Sequence, residues 1–218
     1  MVRRQKSTAP SVVDRHAQVR DAEHTRASIL DAAEEEFAQN GLAGARTEAI
    51  ASRTGVTKAM LYYYFESKEG LYQAVLERAF ADRIKGAQQI SLDVQTPSQA
   101  LEQFLNQLLT SAGINPNLPA ILFYEAMQNK GKYYKQVGIL SIYGALIQIL
   151  EAGVKDGSFR NLDPLHTAVN IIGLCSFYFC TYENVKSLWA GKQMLSPEMI
   201  DQHCREAINM VMAGVRPA

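Results

Sequence analysis

Apolar side chains recur at intervals of three and four along most of the chain. Over residues 24–40, Ala27, Ile29, Leu30, Ala33, Phe37 and Ala38 form such a stripe, which predicts a helix with one buried face. Asn40-Gly41 ends it with a residue suited to a left-handed cap. Residues 47–54 form a second, short helix that Gly55 breaks, and residues 57–65 form a third. Ser67 is placed to cap a long fourth helix running through Leu71, Val75, Leu76 and Phe80 to about residue 90. Farther on, Thr96-Pro97-Ser98-Gln99 offers an N-cap, a proline at the first helical position and a capping-box glutamine. Asp163-Pro164 and Ser196-Pro197 repeat the cap-then-proline device. Residues 118–128 and 134–154 are apolar with helical period, and Val154-Lys155-Asp156-Gly157 closes the second. No segment alternates in the two-residue period of a strand with hairpin turns. The pattern predicts an all-α protein of about nine helices.

Charge and composition then divide the chain. Residues 1–20 carry Arg3, Arg4, Lys6, Arg15 and Arg20 against Asp14 alone, as a flexible basic arm would. Residues 21–70 suit a small three-helix head, and residues 71–218 a larger helical body. Hydrophobic residues make up 47% of the 218, enough for a sizeable core. Formal net charge is zero, so a nucleic-acid partner has to be argued from local features. Cys175, Cys180 and Cys204 are odd in number and lack CxxC spacing, which fits a reducing cytoplasm rather than a disulfide framework. The basic N-terminus is followed by no apolar run, so no leader is expected. The stretch from Pro164 to Tyr182 has no charged residue, yet His166, Thr167, Asn170 and Ser176 make it a buried helix rather than a membrane span.

The segment from Thr47 to Phe65 carries the chemistry. Two helices that cross closely need a small residue at the crossing, and Ala51 supplies it. The turn between them needs a residue free to take positive φ, and Gly55 stands four residues later. Ile50, Val56 and Leu61 are spaced to hold the second helix against the first, and Thr57 can cap it. The first turn of that helix would enter a DNA major groove. Lys58 could donate to guanine there, while Ala59 and Met60 could meet thymine methyl groups. Thr47, Tyr62, Tyr64 and Lys68 are hydroxyl or amine donors around the groove walls, suited to phosphate oxygens. Tyr63 and Phe65 are expected to pack inward. Acidic residues outnumber basic ones over residues 21–70, and Asp31, Glu34, Glu35 and Glu36 are expected to face away from DNA.

These residues resemble the DNA-binding domain of the TetR family of bacterial regulators. The resemblance spans residues 26–75. It rests on Phe37-Ala-Gln-Asn-Gly41, the pairs Ile50-Ala51 and Gly55-Val56, and the run Leu61-Tyr62-Tyr63-Tyr64-Phe65-Glu66-Ser67-Lys68-Glu69-Gly70-Leu71. It implies a homodimer on double-stranded operator DNA, a ligand-binding C-terminal domain, and repression relieved by a small-molecule effector. It also implies phosphate contacts from Thr47, Tyr62, Tyr64 and Lys68, and base readers among Thr57, Lys58, Ala59 and Met60. The C-terminal half, including the ending Ala213-Gly-Val-Arg-Pro217, is similar more loosely to regulators grouped with the pyrimidine-use repressor.

A sensor body needs a cavity lined by apolar side chains with a few polar groups. The candidate linings are Phe104, Phe123, Tyr124, Met127, Tyr143, Phe177, Tyr178, Tyr182 and Trp189, whose density suits an aromatic or flat apolar effector. Residues 163–186 and 197–215 suit a dimer seam, with Met199, His203, Ala207, Met210 and Gly214 stepping along the second helix. No glycine-rich phosphate loop, HExxH or GxSxG is present, so no catalytic residue, metal site or cofactor is expected. Two other classes compete: an enzyme with a helical cavity, which lacks a nucleophile–base pair, and a scaffold that binds protein through an exposed apolar face.

Overall fold

The computed structural model describes residues 12–189 and 191–217, with side chains from residue 20 onward. Ten α-helices and one 3-10 turn make up the described residues, with no strand among them. The head comprises α1 (Val12–Gly44), α2 (Thr47–Thr54) and α3 (Lys58–Phe65). Helix α4 (Lys68–Gln88) leads from the head into the body. The body continues with α5 (Pro97–Ile114), α6 (Asn117–Asn129), α7 (Lys132–Val137), α8 (Leu140–Asp156), α9 (Pro164–Val185), the 3-10 turn Lys186–Leu188 and α10 (Pro197–Val215). No described helix is long and apolar enough to cross a membrane.

The expected caps are in place because capping is decided within one turn of chain. Thr57, Ser67, Thr96, Asp163 and Ser196 each accept from the backbone N–H three residues on. Thr96 and Gln99 form the reciprocal capping box. Three expectations differ. The segment expected as an arm is helical from Val12, while residues 1–11 lie outside the described ones. Residues 20–28 of that helix bury no side chain, and burial begins at Ile29. The single helix expected over residues 134–154 is two, because Gly138 takes a left-handed cap between α7 and α8. Asn40-Gly41 bends the first helix sharply, and a further helical turn follows to Gly44.

Head and body share one continuous core running from Ile29 through Leu61, Tyr72 and Leu105 to Val215. Each fully buried Leu or Ile in it contributes about 1.5–3 kcal/mol relative to an exposed one. The long helix α1 packs on α6, α4 and α2, and the body is closed by α5 against α8 and α10 and by α8 against α9. Polar contacts fix α1 to the body at three places. Arg78 of α4 pairs with Asp31 at 2.7 Å and Glu34 at 3.3 Å. Asn115 donates to Glu34 at 2.6 Å. From α6, the Tyr124 hydroxyl donates to the Gln39 carbonyl at 3.2 Å, and the Gln128 side-chain oxygen accepts from the Ala43 N–H at 3.2 Å.

Candidate nucleic-acid interface and effector cavity

In the head, Ile50 and Leu61 are fully buried and Ala51 nearly so, which seats α3 against α2. Gly55 caps α2 at φ 71°. A Cβ added there would meet nothing within 4 Å, so the cost of a side chain is purely conformational. Replacing Gly55 with Val should therefore cost about 1–3 kcal/mol of head stability. Chemical denaturation would read this as a lower midpoint, and an unchanged curve would show that the turn relaxes freely.

The start of α3 is open. Thr57 accepts from the Met60 N–H at 3.1 Å, and Lys58, Ala59 and Met60 are exposed. Lys58 is paired with Glu48 of α2. The hydrogen bond from Lys58 holds the Glu48 carboxyl below its usual range, and the same bond raises the Lys58 ammonium. Tyr62 and Tyr64 are half-buried. The Tyr62 hydroxyl lies 3.3 Å from the hydroxyl of Thr47, which is otherwise buried. The Lys68 ammonium donates to the Ala43 carbonyl at 3.3 Å.

Tyr63 corrects the expectation that it packs inward: it is 83% exposed, while Phe65 is buried as expected. The reason is helical geometry. Leu61 and Phe65, four apart, share the core side, and position 63 falls about 200° round from Leu61. Tyr63 thus stands on the open side with Ala59 and Met60, where the sequence pattern does not place it.

The acids of the first helix have a structural task. Glu36, nearly buried, accepts from the Arg46 N–H and the Asn40 side chain, both at 3.1 Å. Arg53 of α2 pairs with Glu35 at 3.0 Å and reaches Glu36 at 3.9 Å. These contacts hold the loop and α2 onto α1 and leave the open side of α3 free of those carboxylates.

In the body, the nine aromatic and sulfur side chains expected to line one cavity do not converge. Phe104 is buried and borders a cleft of about 790 Å³ between α1, α4 and α5. Tyr143 lines a small inner chamber of about 40 Å³. Phe177, Tyr178 and Trp189 line a separate groove of about 1130 Å³ along α9 and α10. There Tyr178 stacks on His203 with ring centroids 4.0 Å apart and donates to the Met194 carbonyl at 2.7 Å. Phe123 and Met127 are exposed on α6, Tyr124 is bonded to α1, and Tyr182 is half-buried near the end of α9. Along the expected seam, Met199 and Ala207 face the monomer core, whereas Met210 and Gly214 are exposed.

The chamber also holds residues that sequence reasoning passed over: Arg83 of α4 and Tyr134 of α7. A signal for Arg83 was present. Leu76, Phe80, Arg83 and Ala87 step four, three and four along α4, which sets a charged residue in a core register. Among the described residues, no group of three His, Cys, Asp or Glu side chains is placed to hold a metal ion. Burial pushes the Cys175 thiol up to about 12, as for an inert core thiol.

The comparisons with known proteins agree with this geometry. The family model described as bacterial regulatory proteins, tetR family, matches residues 29–75. The one described as tetracyclin repressor-like, C-terminal domain, matches residues 97–211. The transcriptional repressor NicS of Pseudomonas putida is 31% identical over 78% of this chain and 82% of its own. The transcriptional regulator RutR of Escherichia coli K12 is 24% identical over 87% of this chain and 90% of its own. A tetR-family regulatory protein from Rhodococcus RHA1 has the same fold, with TM-score 0.71 at 19% identity over 89% of this chain and 98% of that one. FadR from Bacillus subtilis, in complex with stearoyl-CoA, gives TM-score 0.66 at 19% identity over 87% and 98%. With both halves matched and an open recognition helix in the head, the chain belongs to the TetR family of bacterial regulatory proteins and is a ligand-responsive, DNA-binding transcriptional repressor, not an enzyme.

Proposed function

We propose that the chain works in the cytoplasm as a homodimer on a palindromic operator, and that a small molecule taken up by the body releases it. The observation that carries this reading is the exposed first turn of α3, with Lys58, Ala59 and Met60 forward of a buried Ile50–Leu61 contact. Two such heads would enter successive major grooves about 34–36 Å apart. Lys58 would leave Glu48 to donate to a base edge, with Ala59, Met60 and Tyr63 beside it and Thr57 at the groove floor. Thr47, Tyr62, Tyr64 and Lys68 would hold phosphates. The second copy would cover the α9–α10 groove, where Val169, Phe177, Trp189 and Met210 are exposed apolar side chains.

Release follows from the contacts between body and head. A ligand that moves α6 or α4 acts on α1 through Tyr124, Gln128 and Arg78. It shifts the equilibrium only by its differential affinity for the two head spacings.

Selection of random duplex DNA on the purified protein tests the reading: a palindrome should be enriched. On that site, Tyr62→Phe and Lys68→Ala should weaken binding evenly across sequences, and loss of the Lys68 charge should reduce the salt slope by about one. Lys58→Ala should cost about 1–3 kcal/mol at one base position and relax preference there alone. Identical behaviour of the two kinds of variant would overturn this sorting of contacts, and absence of any enriched site would overturn the operator reading.

A further inference from the structure

We infer that the effector is a small organic anion, a monocarboxylate on a compact apolar or aromatic frame, with its carboxylate seated on Arg83 between the phenols of Tyr134 and Tyr143. The inference rests on the regulator reading and deepens it.

Arg83 is half-buried, which sets it apart from Arg26 and Arg46, exposed arginines whose side chains also show no ion pair or hydrogen bond among the described residues. Arg53, Arg78 and Arg205 are each ion-paired, and Arg160 donates to the Gly214 carbonyl at 2.6 Å. Among the described residues Arg83 has neither an ion pair nor a hydrogen bond; its guanidinium lies 5.2 Å from the centroid of the Phe80 ring. It borders both the inner chamber and the larger cleft, so it stands between them. A charge partly withdrawn from water without a partner is costly, so a fold that keeps one in a core register keeps it for something that arrives.

The chamber's polar inventory indicates what arrives. Its lining includes Arg83, Tyr134, Tyr143, Ser176 and Cys175, and no acidic residue. The Tyr134 and Tyr143 hydroxyls are close enough to perturb each other, and burial raises both phenols, which keeps them protonated as donors. Burial also lowers the Arg83 guanidinium to about 10. An arriving carboxylate reverses that penalty and matches the guanidinium fork with two parallel hydrogen bonds. A cation would be repelled, and a neutral ligand would leave the charge unanswered. The acid whose charge bears on Arg83 is Glu34, and it is already held by Arg78 and Asn115. In the outer cleft Asp31 and Glu34 are answered by Arg78 and Asp82 adds a further acid, whereas the inner chamber has no acidic residue, so the acid end belongs inside.

At about 40 Å³ the chamber holds only a few waters' worth of space. A ligand frame larger than this must push its walls apart, and Leu122 of α6 and Tyr134 of α7 are among them. The same α6 grips α1 through Tyr124 and Gln128, so filling the seat moves the helix that holds the head.

The test uses the full-length protein in thermal melts with benzoate, 3-phenylpropionate and octanoate, each paired with its primary amide. At least one acid should raise Tm where its amide does not. Arg83→Met should weaken that acid at least tenfold, while its own ligand-free Tm stays level or rises and its operator affinity stays within twofold. Tyr143→Phe should weaken the same acid by a smaller factor. The inference is overturned by amides that match their acids, by no shift with any acid, by an Arg83→Met protein that keeps the acid preference, or by a ligand-free Arg83→Met that melts well below the parent. Operator binding is measured separately by anisotropy. Its absence in the parent would strike the regulator reading and leave the acid seat standing.

Discussion

Replacing Glu125 with Ala is expected to destabilise the protein by roughly 3–5 kcal/mol, a large part of the stability of a domain this size. Glu125 sits on α6 with no solvent exposure. Its carboxylate accepts from the Tyr72 hydroxyl at 3.2 Å, the Asn129 side chain at 2.5 Å and the Tyr133 N–H at 2.7 Å. These donors come from α4, α6 and α7, so one side chain ties together three helices that line the inner chamber. Burial, and then the adjacent carboxylate, push the Tyr72 phenol well above its usual value. Alanine would strand the Tyr72 hydroxyl and the Tyr133 N–H in the core, each a loss of about 1–3 kcal/mol, would leave the half-buried Asn129 to find water, and would open a cavity as well. Glu125→Gln keeps the shape and one acceptor oxygen, and should lose less than half as much. Urea unfolding followed by circular dichroism measures both. A loss below about 1 kcal/mol for the alanine variant would mean that water enters and satisfies the donors.

How much of this was legible beforehand depends on how local the cause is. The caps at Thr57, Ser67, Thr96, Asp163 and Ser196 are decided by two or three neighbours, and each could be read directly. The head was legible for a related reason: its turn glycine, small crossing residue and apolar triplet lie within twenty residues, and the family motif overlies them. The limits of α2 follow the sequence residue for residue. The break at Gly138 was not legible, because apolar residues keep helical spacing on both sides of it. Glu125 was hidden because a polar residue on an amphipathic helix reads as a solvated one until its three donors, from separate turns, converge. The body's sensor side was harder still. Density of aromatic residues along α9 says nothing about direction: Cys175 and Phe179 face the core, while Phe177 points out into the groove with Tyr178 beside it. Which helix faces meet is a property of the packing of six helices, and no local pattern carries it. Arg83 was the exception, since a charge in a core register is a contradiction that the sequence already displays.

Replacing Gly41 with Val should cost about 2–4 kcal/mol and should loosen operator binding beyond the loss of folded protein. Gly41 bends the chain at φ 63° and ψ 179°, a conformation that residues with a Cβ almost never adopt. A Cβ there would also collide with the Gln128 side-chain oxygen, the atom that accepts from Ala43. Strain and collision are separable contributions. Strain belongs to the backbone of residue 41 and persists whatever stands opposite. Collision falls on a flexible side chain, so Gly41→Ala combined with Gln128→Ala should recover the steric part and leave the strain. The bend would matter for DNA because it delivers Leu42 and Ala45 into the core, five and two residues before α2 begins, and offers the Ala43 carbonyl to Lys68. Straightening it would turn the reading helices against the body, and would detach Gln128, one of the two α6 contacts through which a ligand is proposed to act on α1. The valine variant should therefore bind operator more weakly in its folded fraction and respond less to any ligand that displaces α6. A Gly41→Val protein that melts and binds like the parent would show that neither the bend nor its grip on α6 sets the angle of the head.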